Sequence, residues 1–529
     1  MIENKTPVER SDGNPVERSD GTPTAPLTLD CTLASTIVPI TGQPRLVYLL
    51  VDVSGGEGAH TLPSNLGFIL DTSDSMRIRL VTDEQFMQLA RNGQAQEVMT
   101  DGVPAYQIKS VSSDLLSKFP RRIDYVSDAL KIASEYLRAG DQFSVVAVAE
   151  RAQCMIPSVS GKEKARLHQA ARELEYMRLG DETHMAQGIA MAFAEVVKAT
   201  TAALSTAQSQ YRGACASRLI LLTDGHTRNV QECYDWAQNA RKAGIRLTTM
   251  GIGVEFNEEL LIPLADITGG NAYYVETPEQ IPDVFRRELG AALNISYRNV
   301  EVKLHIPAGV SLRRIHRVLP DISTAIDYTA FDPEHGDRAV DARLSRAETP
   351  TESAPSTAAR APAKSTAYSV LLGDYDPTAP QALLLELVIP PWPTGNYRLA
   401  QVMLAWDDPT NEEMARLNLR KEVQVRMSEM ATAPLEGRVM NIIEKVGAFK
   451  MGAQALEAAE KASRNTSQDD KTSATLRLRQ AATRLLDMGE TALADTMFRQ
   501  AQTLERDGNM DPDATKRLRY ETRRMTQHL

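Results

Sequence analysis

The stretch Asn65-Leu66-Gly67-Phe68-Ile69-Leu70-Asp71-Thr72-Ser73-Asp74-Ser75-Met76 sets a short apolar run directly before an aspartate and two serine hydroxyls spaced two apart. A short continuous apolar run is the pattern of a parallel strand buried on both faces. Asp71 then stands at the strand's carboxyl end, where open α/β sheets bind their ligands. Asp71, Ser73 and Ser75 offer oxygen donors only, which suit Mg²⁺, Mn²⁺ or Ca²⁺ and not zinc. Taken alone, the same pattern serves equally as a turn followed by a helix N-cap.

Two further segments add to it. Leu179-Gly180-Asp181-Glu182-Thr183-His184-Met185-Ala186-Gln187-Gly188-Ile189 is a loop entering an alanine-rich helix. Arg218-Leu219-Ile220-Leu221-Leu222-Thr223-Asp224-Gly225 is a second apolar strand ending in an aspartate. Asp-x-Ser-x-Ser, a loop threonine and a strand-end Thr-Asp-Gly together resemble the von Willebrand factor A (vWA) family with its metal-ion-dependent adhesion site. Residues 245–253 resemble that fold's next strand and residues 264–274 its final helix-to-strand passage, in the family's order.

The resemblance implies a doubly wound, mostly parallel α/β sheet of Rossmann-like kind. It also implies a divalent-cation site. Ser73 and Ser75 would ligate through their hydroxyls, Asp71 directly or through water, and Thr183 would complete the protein's share. Asp224 would sit at or just behind these ligands, holding coordinated water. An ion with so few charged ligands stays electrophilic and accepts a carboxylate from a partner protein, with no bond made or broken. One position departs from the family: Asp74 stands where a glycine is usual. An additional carboxylate there either raises metal affinity or repels an acidic partner.

Between Met76 and the helix starting near Ile123 the chain is longer than this fold needs. Within residues 80–118, Val81 to Ala90 predicts a helix capped by Thr82 or Asp83, and Thr82 with Gln85 also fits a capping box. Val103 to Ile108 predicts a hairpin arm after the Asp101-Gly102 turn. Because the insert leaves directly from the metal loop, it is expected to act as a lid or specificity element.

A chain of 529 residues has room for about three domains. The expected division is a disordered tail over 1–26, where an octapeptide ending PVERSDG occurs twice, and a β-sandwich from 27–64 plus 295–428. The vWA domain over 65–294 is inserted in that sandwich, and a helical domain fills 433–529. Residues 297–315, 366–373, 381–389, 396–406 and 418–427 read as the sandwich strands, partnered by the apolar stretch Pro44 to Ser54. Glu348 to Ala363, rich in Ala, Thr, Ser and Pro, reads as a flexible loop. Apolar stripes beginning at Val439, Leu476 and Ala492 predict three amphipathic helices in a small bundle. The basic end Lys516-Arg517-Leu518-Arg519 with Arg523-Arg524 reads first as a solvated helix face and second as a site for an acidic partner.

A net charge of −10 argues against nucleic acid as a partner. Cys31, Cys154, Cys215 and Cys233 show no metal spacing. No apolar leader and no membrane-length apolar run are present, so a cytoplasmic protein without a membrane span is expected. Neither a Gly-x-Ser-x-Gly elbow nor a Walker A loop occurs, and His184 and His226 read as polar loop residues. The resemblance implies a non-enzymatic interaction scaffold, binding a partner's Asp or Glu through Mg²⁺ (or Mn²⁺ or Ca²⁺). Bacterial proteins of this appearance work with MoxR-type AAA ATPases, kinases, phosphatases or FHA proteins. An adaptor subunit for an AAA ATPase, of the chelatase or MoxR type, is the alternative.

Overall fold

The computed structural model describes residues 27–55, 61–79, 83–100, 103–108, 119–205, 215–223, 227–253, 257–275, 277–322, 329–331, 339–340, 365–377, 379–407, 416–429, 434–464 and 468–525. The octapeptide tail, the segment 348–363 and the proposed cap Thr82 lie outside these residues.

The chain begins with β1 (Leu27–Leu33), β2 (Ile37–Pro39) and β3 (Arg45–Gly55). An α/β unit follows, opening with β4 (Ser64–Asp71), a 3₁₀ turn (Asp74–Arg77), α1 (Asp83–Arg91), β5 (Ala95–Thr100) and β6 (Val103–Ile108). It continues through α2 (Arg122–Tyr136), β7 (Gln142–Val148), β8 (Ala152–Ser160), α3 (Arg166–Leu174) and α4 (Met185–Ser205). It closes with β9 (Ala216–Thr223), α5 (Val230–Lys242), β10 (Arg246–Ile252), α6 (Glu258–Thr268), β11 (Ala272–Val275) and α7 (Ile281–Leu293).

The main sheet of this unit runs β11-β10-β9-β4-β7-β8. Neighbours are parallel except β7 and β8, which a short turn joins and which therefore pair antiparallel. All eight residues of β4 are buried, as its unbroken apolar run predicts for a central strand. Leu66, Phe68 and Leu70 pack on one face with Ile123, Leu130 and Phe285, while Ile69 packs on the other with Ile189 and Val196. Gly67 lets α4 approach: a Cβ there would stand 2.7 Å from Leu219 Cδ2 and 3.0 Å from Val196 Cγ2. The chain passes from β4 to β7 and β8 on one side, then returns to β9 on the other. The order thus reverses between β4 and β9, and the carboxyl ends of strands at such a reversal are where open α/β sheets bind ligands. In the insert, β5 and β6 pair antiparallel, with Thr100 opposite Val103.

After the α/β unit come β12 (Tyr297–Ile306), β13 (Ser311–Leu319), β14 (Thr329–Phe331), β15 (Ala339–Val340), β16 (Thr366–Tyr375), β17 (Gln381–Ile389), β18 (Gly395–Asp407) and β19 (Arg416–Ser428). They form two sheets, β1-β3-β17-β13 and β15-β14-β16-β12-β18-β19-β2, antiparallel throughout except where β2 joins β19. The early strand β3 pairs with the late strand β17, from Arg45 opposite Ile389 to Val53 opposite Gln381. One apolar core fills the space between the sheets, including Leu49 and Val51 of β3, Val302 and Leu304 of β12, and Trp406 of β18. The run 297–315, expected as one strand, is in fact two strands in different sheets. Pro307 to Gly309 turns the chain: Val310 N–H donates to the Pro307 carbonyl at 3.2 Å, and Gly309 takes φ +92°, where a side chain would be strained.

The C-terminal part holds α8 (Gly437–Arg464), α9 (Gln468–Asp487), α10 (Thr491–Asp507) and α11 (Pro512–Arg523), one helix more than the three predicted. Val439, Ile442 and Val446 of α8 share a core with Leu50, Val318 and Leu384, so the helices cover the outer face of the four-stranded sheet. The expectation of a solvated basic end is overturned. Arg519 of α11 donates to Glu258 of α6 at 3.0 Å, Arg523 to Asp266 at 2.7 Å, and Lys516 lies 3.6 Å from Glu258. The acidic face of α6 is the counterpart of this helix. Among the described residues, no helix is long and apolar enough to cross a membrane.

Candidate metal centre

β4 ends on Asp71, a fully buried carboxylate at the mouth between β4 and β9. Its Oδ1 accepts the Ser73 N–H at 2.9 Å, and its Oδ2 accepts the hydroxyl of Thr223, the last residue of β9, at 2.6 Å. Thr72 N–H donates to the Val148 carbonyl at the end of β7, at 2.8 Å. The start of the loop is therefore held by both strands that flank β4.

The chain then turns tightly, with Met76 N–H donating to the Ser73 carbonyl at 3.1 Å. This turn brings the hydroxyls of buried Ser73 and half-buried Ser75 to 3.0 Å from each other. Oxygens at adjacent corners of an octahedral Mg²⁺ shell, each about 2.1 Å from the ion, also stand about 3.0 Å apart. The donors present are all hard oxygens, which suit such a cation, and in this structure the two hydroxyls are hydrogen-bonded to each other.

Thr183 is buried in the loop that precedes α4. Thr227, just beyond β9, braces it: its hydroxyl donates to the Thr183 carbonyl at 3.0 Å and accepts the Met185 N–H at 3.1 Å. His184 N–H donates to the Ala149 carbonyl at 2.8 Å, fastening the same loop to the end of β7. Asp224 and His226 lie outside the described residues. The His184 ring contacts Gln187, at 3.4 Å.

Two arginines tie the 3₁₀ turn to the Thr183 loop. Arg77 Nη1 donates to the Glu175 carbonyl at 2.8 Å, and its Nη2 reaches the carbonyls of Leu174 and Met177. A cation at these carbonyls satisfies the open C-terminal end of α3. Arg178 Nη1 donates to Asp74 Oδ1 at 2.8 Å. Asp74 thus carries its charge on the outer side of the turn, paired with the loop opposite. Arg228 and Glu182 form a further exposed pair at the rim.

Asp71, Ser73 and Ser75 are brought together by one turn, while Thr183 lies on a separately anchored loop, bonded through its carbonyl to Thr227. The supporting residues Thr223, Thr227, Arg77 and Arg178 had no assigned role from sequence. Thr223 carried a signal, as the residue before Asp224 in the second strand-end motif. The other three act between loops far apart in the chain, which no local spacing reveals. Among the described residues, no group of three or more His, Cys, Asp or Glu is placed to hold a metal ion.

Residues 65–287 match the von Willebrand factor type A domain family, and residues 437–528 match the Sll0103-like, C-terminal alpha-helical domain family. YfbK of Escherichia coli (strain K12) is 24% identical over 196 residues, 36% of this chain and 32% of that protein. The Synechocystis protein sll0103 is 20% identical over 369 residues, 69% of this chain and 67% of its own. A solved structure, the von Willebrand factor type A protein from Catenulispora acidiphila, aligns with 94% of this chain and 96% of its own, at TM-score 0.63 and 14% identity. That likeness is one of fold. Residues 65–287 are a von Willebrand factor type A domain, accompanied by antiparallel sheets and a C-terminal helical domain.

Proposed function

We propose that this domain is a metal-dependent protein-interaction module that captures a partner's Asp or Glu side chain. Ser73, Ser75 and Thr183 would hold a divalent cation, Mg²⁺ or else Mn²⁺ or Ca²⁺, with Asp71 and Asp224 in direct or water-mediated support. When bound, the cation supplies a Lewis-acidic position for a carboxylate oxygen. The 3.0 Å spacing of the Ser73 and Ser75 hydroxyls at the switch point of the sheet carries the reading.

The chain's own residues do the positioning. Thr223 orients the Asp71 carboxylate, and Thr227 with Arg178 fixes the Thr183 loop. Arg178 and Arg228 at the rim are each paired with a carboxylate, Asp74 and Glu182, so the attraction for an acidic partner would come from the cation itself. The action is a contact, not a reaction, and the protein works as a scaffold. A MoxR-type AAA ATPase, kinase, phosphatase or FHA protein is the kind of partner the family resemblance suggests. The insert 80–118 starts beside this turn and would limit access to the cation. Deleting it should change partner recovery while leaving metal affinity within a few-fold, and equal partner recovery would remove that role.

Titration calorimetry with Mg²⁺ and with Mn²⁺ tests the site. The wild-type chain should bind one ion weakly, and Asp71→Ala should show no binding heat with an unchanged circular dichroism spectrum. Binding by Asp71→Ala equal to wild type would overturn the assignment.

A further inference from the structure

Away from the candidate metal centre, a cavity of about 290 Å³ lies where the vWA domain, the sandwich and the helical domain meet. Its lining includes Arg241 of α5, Arg317 of β13, and Arg523 and Arg524 at the end of α11, against Asp266 of α6 and Asp321. Four arginines and two aspartates thus line it, on a chain whose net charge is −10. We propose that this cavity binds a small organic anion bearing phosphate or carboxylate groups.

Size and preorganisation support this. The volume is near the lower end for ligand sites, which begin at about 300 Å³, so it suits a metabolite and not a peptide. Two of the cationic heads are held in place. Arg523 Nη2 donates to Asp266 Oδ1 at 2.7 Å, and the Arg524 guanidinium lies 5.5 Å from the centre of the Tyr520 ring. Tyr520 is itself packed edge-on against Tyr274, with centroids 6.2 Å apart. Cations fixed before a ligand arrives lose less freedom on binding it, and guanidinium forks match phosphate and carboxylate oxygens in pairs.

The charge balance supports it as well. Burial pushes the Arg317 guanidinium pKa down, with Arg523 and Arg241 adding to the effect, while Asp266 and Asp321 oppose it. An anion in the cavity would offset that cost. Because the walls come from three parts of the molecule, an occupant would also hold those parts together.

The test uses the full chain, titrated with inorganic phosphate and separately with succinate, at an ionic strength held constant with NaCl. The expected result is saturable binding of one anion with a rise in melting temperature, as ligands of the native state produce. Arg241→Gln and Arg524→Gln should each weaken binding by about tenfold, the scale of one charge-assisted contact, without lowering the melting temperature of the unliganded protein. Asp71→Ala should keep the full response, separating this cavity from the metal centre. The inference is overturned if neither anion gives a saturable response, if NaCl alone reproduces it, or if both arginine variants respond like wild type.

Discussion

Arg178 donates to Asp74 across 2.8 Å, joining the residue that stands in place of a glycine to the loop that carries Thr183. The pair is exposed, with 67% and 41% of the two side chains accessible, so it contributes little to overall stability. Beside the candidate metal centre, the role expected of it is electrostatic instead. Asp74→Asn should leave the urea midpoint almost unchanged yet weaken Mg²⁺ binding by a factor of about three to ten, through loss of one nearby negative charge. The difference should shrink in 0.5 M NaCl, about as far as screening of an exposed charge requires. Calorimetric affinities at two salt concentrations check both statements, and unchanged affinity at low salt would remove the role.

Thr223→Val should separate orientation of Asp71 from the carboxylate itself. The substitution keeps the side-chain shape but removes the donor to Asp71 Oδ2 inside a fully buried site. Taking a partner from a buried acceptor costs about 1–3 kcal/mol. Urea unfolding should show a loss of that size with an unchanged slope, and Thr223→Ser should recover most of it.

Glu386 makes stability depend on acid. This residue of β17 is almost fully buried, with Lys450 of α8 donating to it at 2.6 Å and the His316 ring 3.6 Å away. Burial pushes its carboxyl up, but the His316 and Lys450 contacts outweigh burial and hold the pKa down to about 2. An unfolded glutamate titrates near about 4.3. The folded value is the lower one, so the stabilisation is complete above about pH 4.3 and is lost as pH falls towards about 2. Lys450→Met should destabilise the protein by about 2–3 kcal/mol at pH 7, because buried Glu386 loses its hydrogen-bonded cation and keeps only the more distant Arg313 at 3.9 Å. It should also flatten the fall in urea midpoint between pH 4 and pH 3; an acid limb as steep as wild type would contradict the assignment.

The α11 contact is open to hydrogen exchange. Arg519 bonds to both Glu258 of α6 and Glu460 of α8. Arg519→Ala should raise exchange along residues 512–523 and along the facing turn of α6, as expected where local opening needs less free energy than global unfolding. Unchanged protection in both segments would show that apolar packing alone seats the helix.

The central strand and its ligand end were legible in the chain itself. An unbroken apolar run from Leu66 to Leu70 is stable only where helices cover both faces, so it announced a buried parallel strand with Asp71 at its carboxyl end. The hydroxyls of Ser73 and Ser75 were equally readable, since a spacing of two in one tight turn brings them together without help from elsewhere. The edge strand β8 was not legible, because its half-exposed, mixed pattern carries no such constraint. The break between β12 and β13 was missed for a similar reason: only the Pro307 to Gly309 turn marks it.

What the sequence alone determined is thus the set of local periodicities and turns, where the physics acts between neighbours in the chain. The tertiary structure decided which distant groups meet. It set Thr223 on Asp71, Arg178 on Asp74 and Thr227 on the Thr183 carbonyl. It also turned a basic C-terminal helix, solvated by local pattern, towards the acids of α6. Charge and hydroxyl pairs of this kind act through space, so their partners become fixed only once the packed sheets and helices have placed both ends.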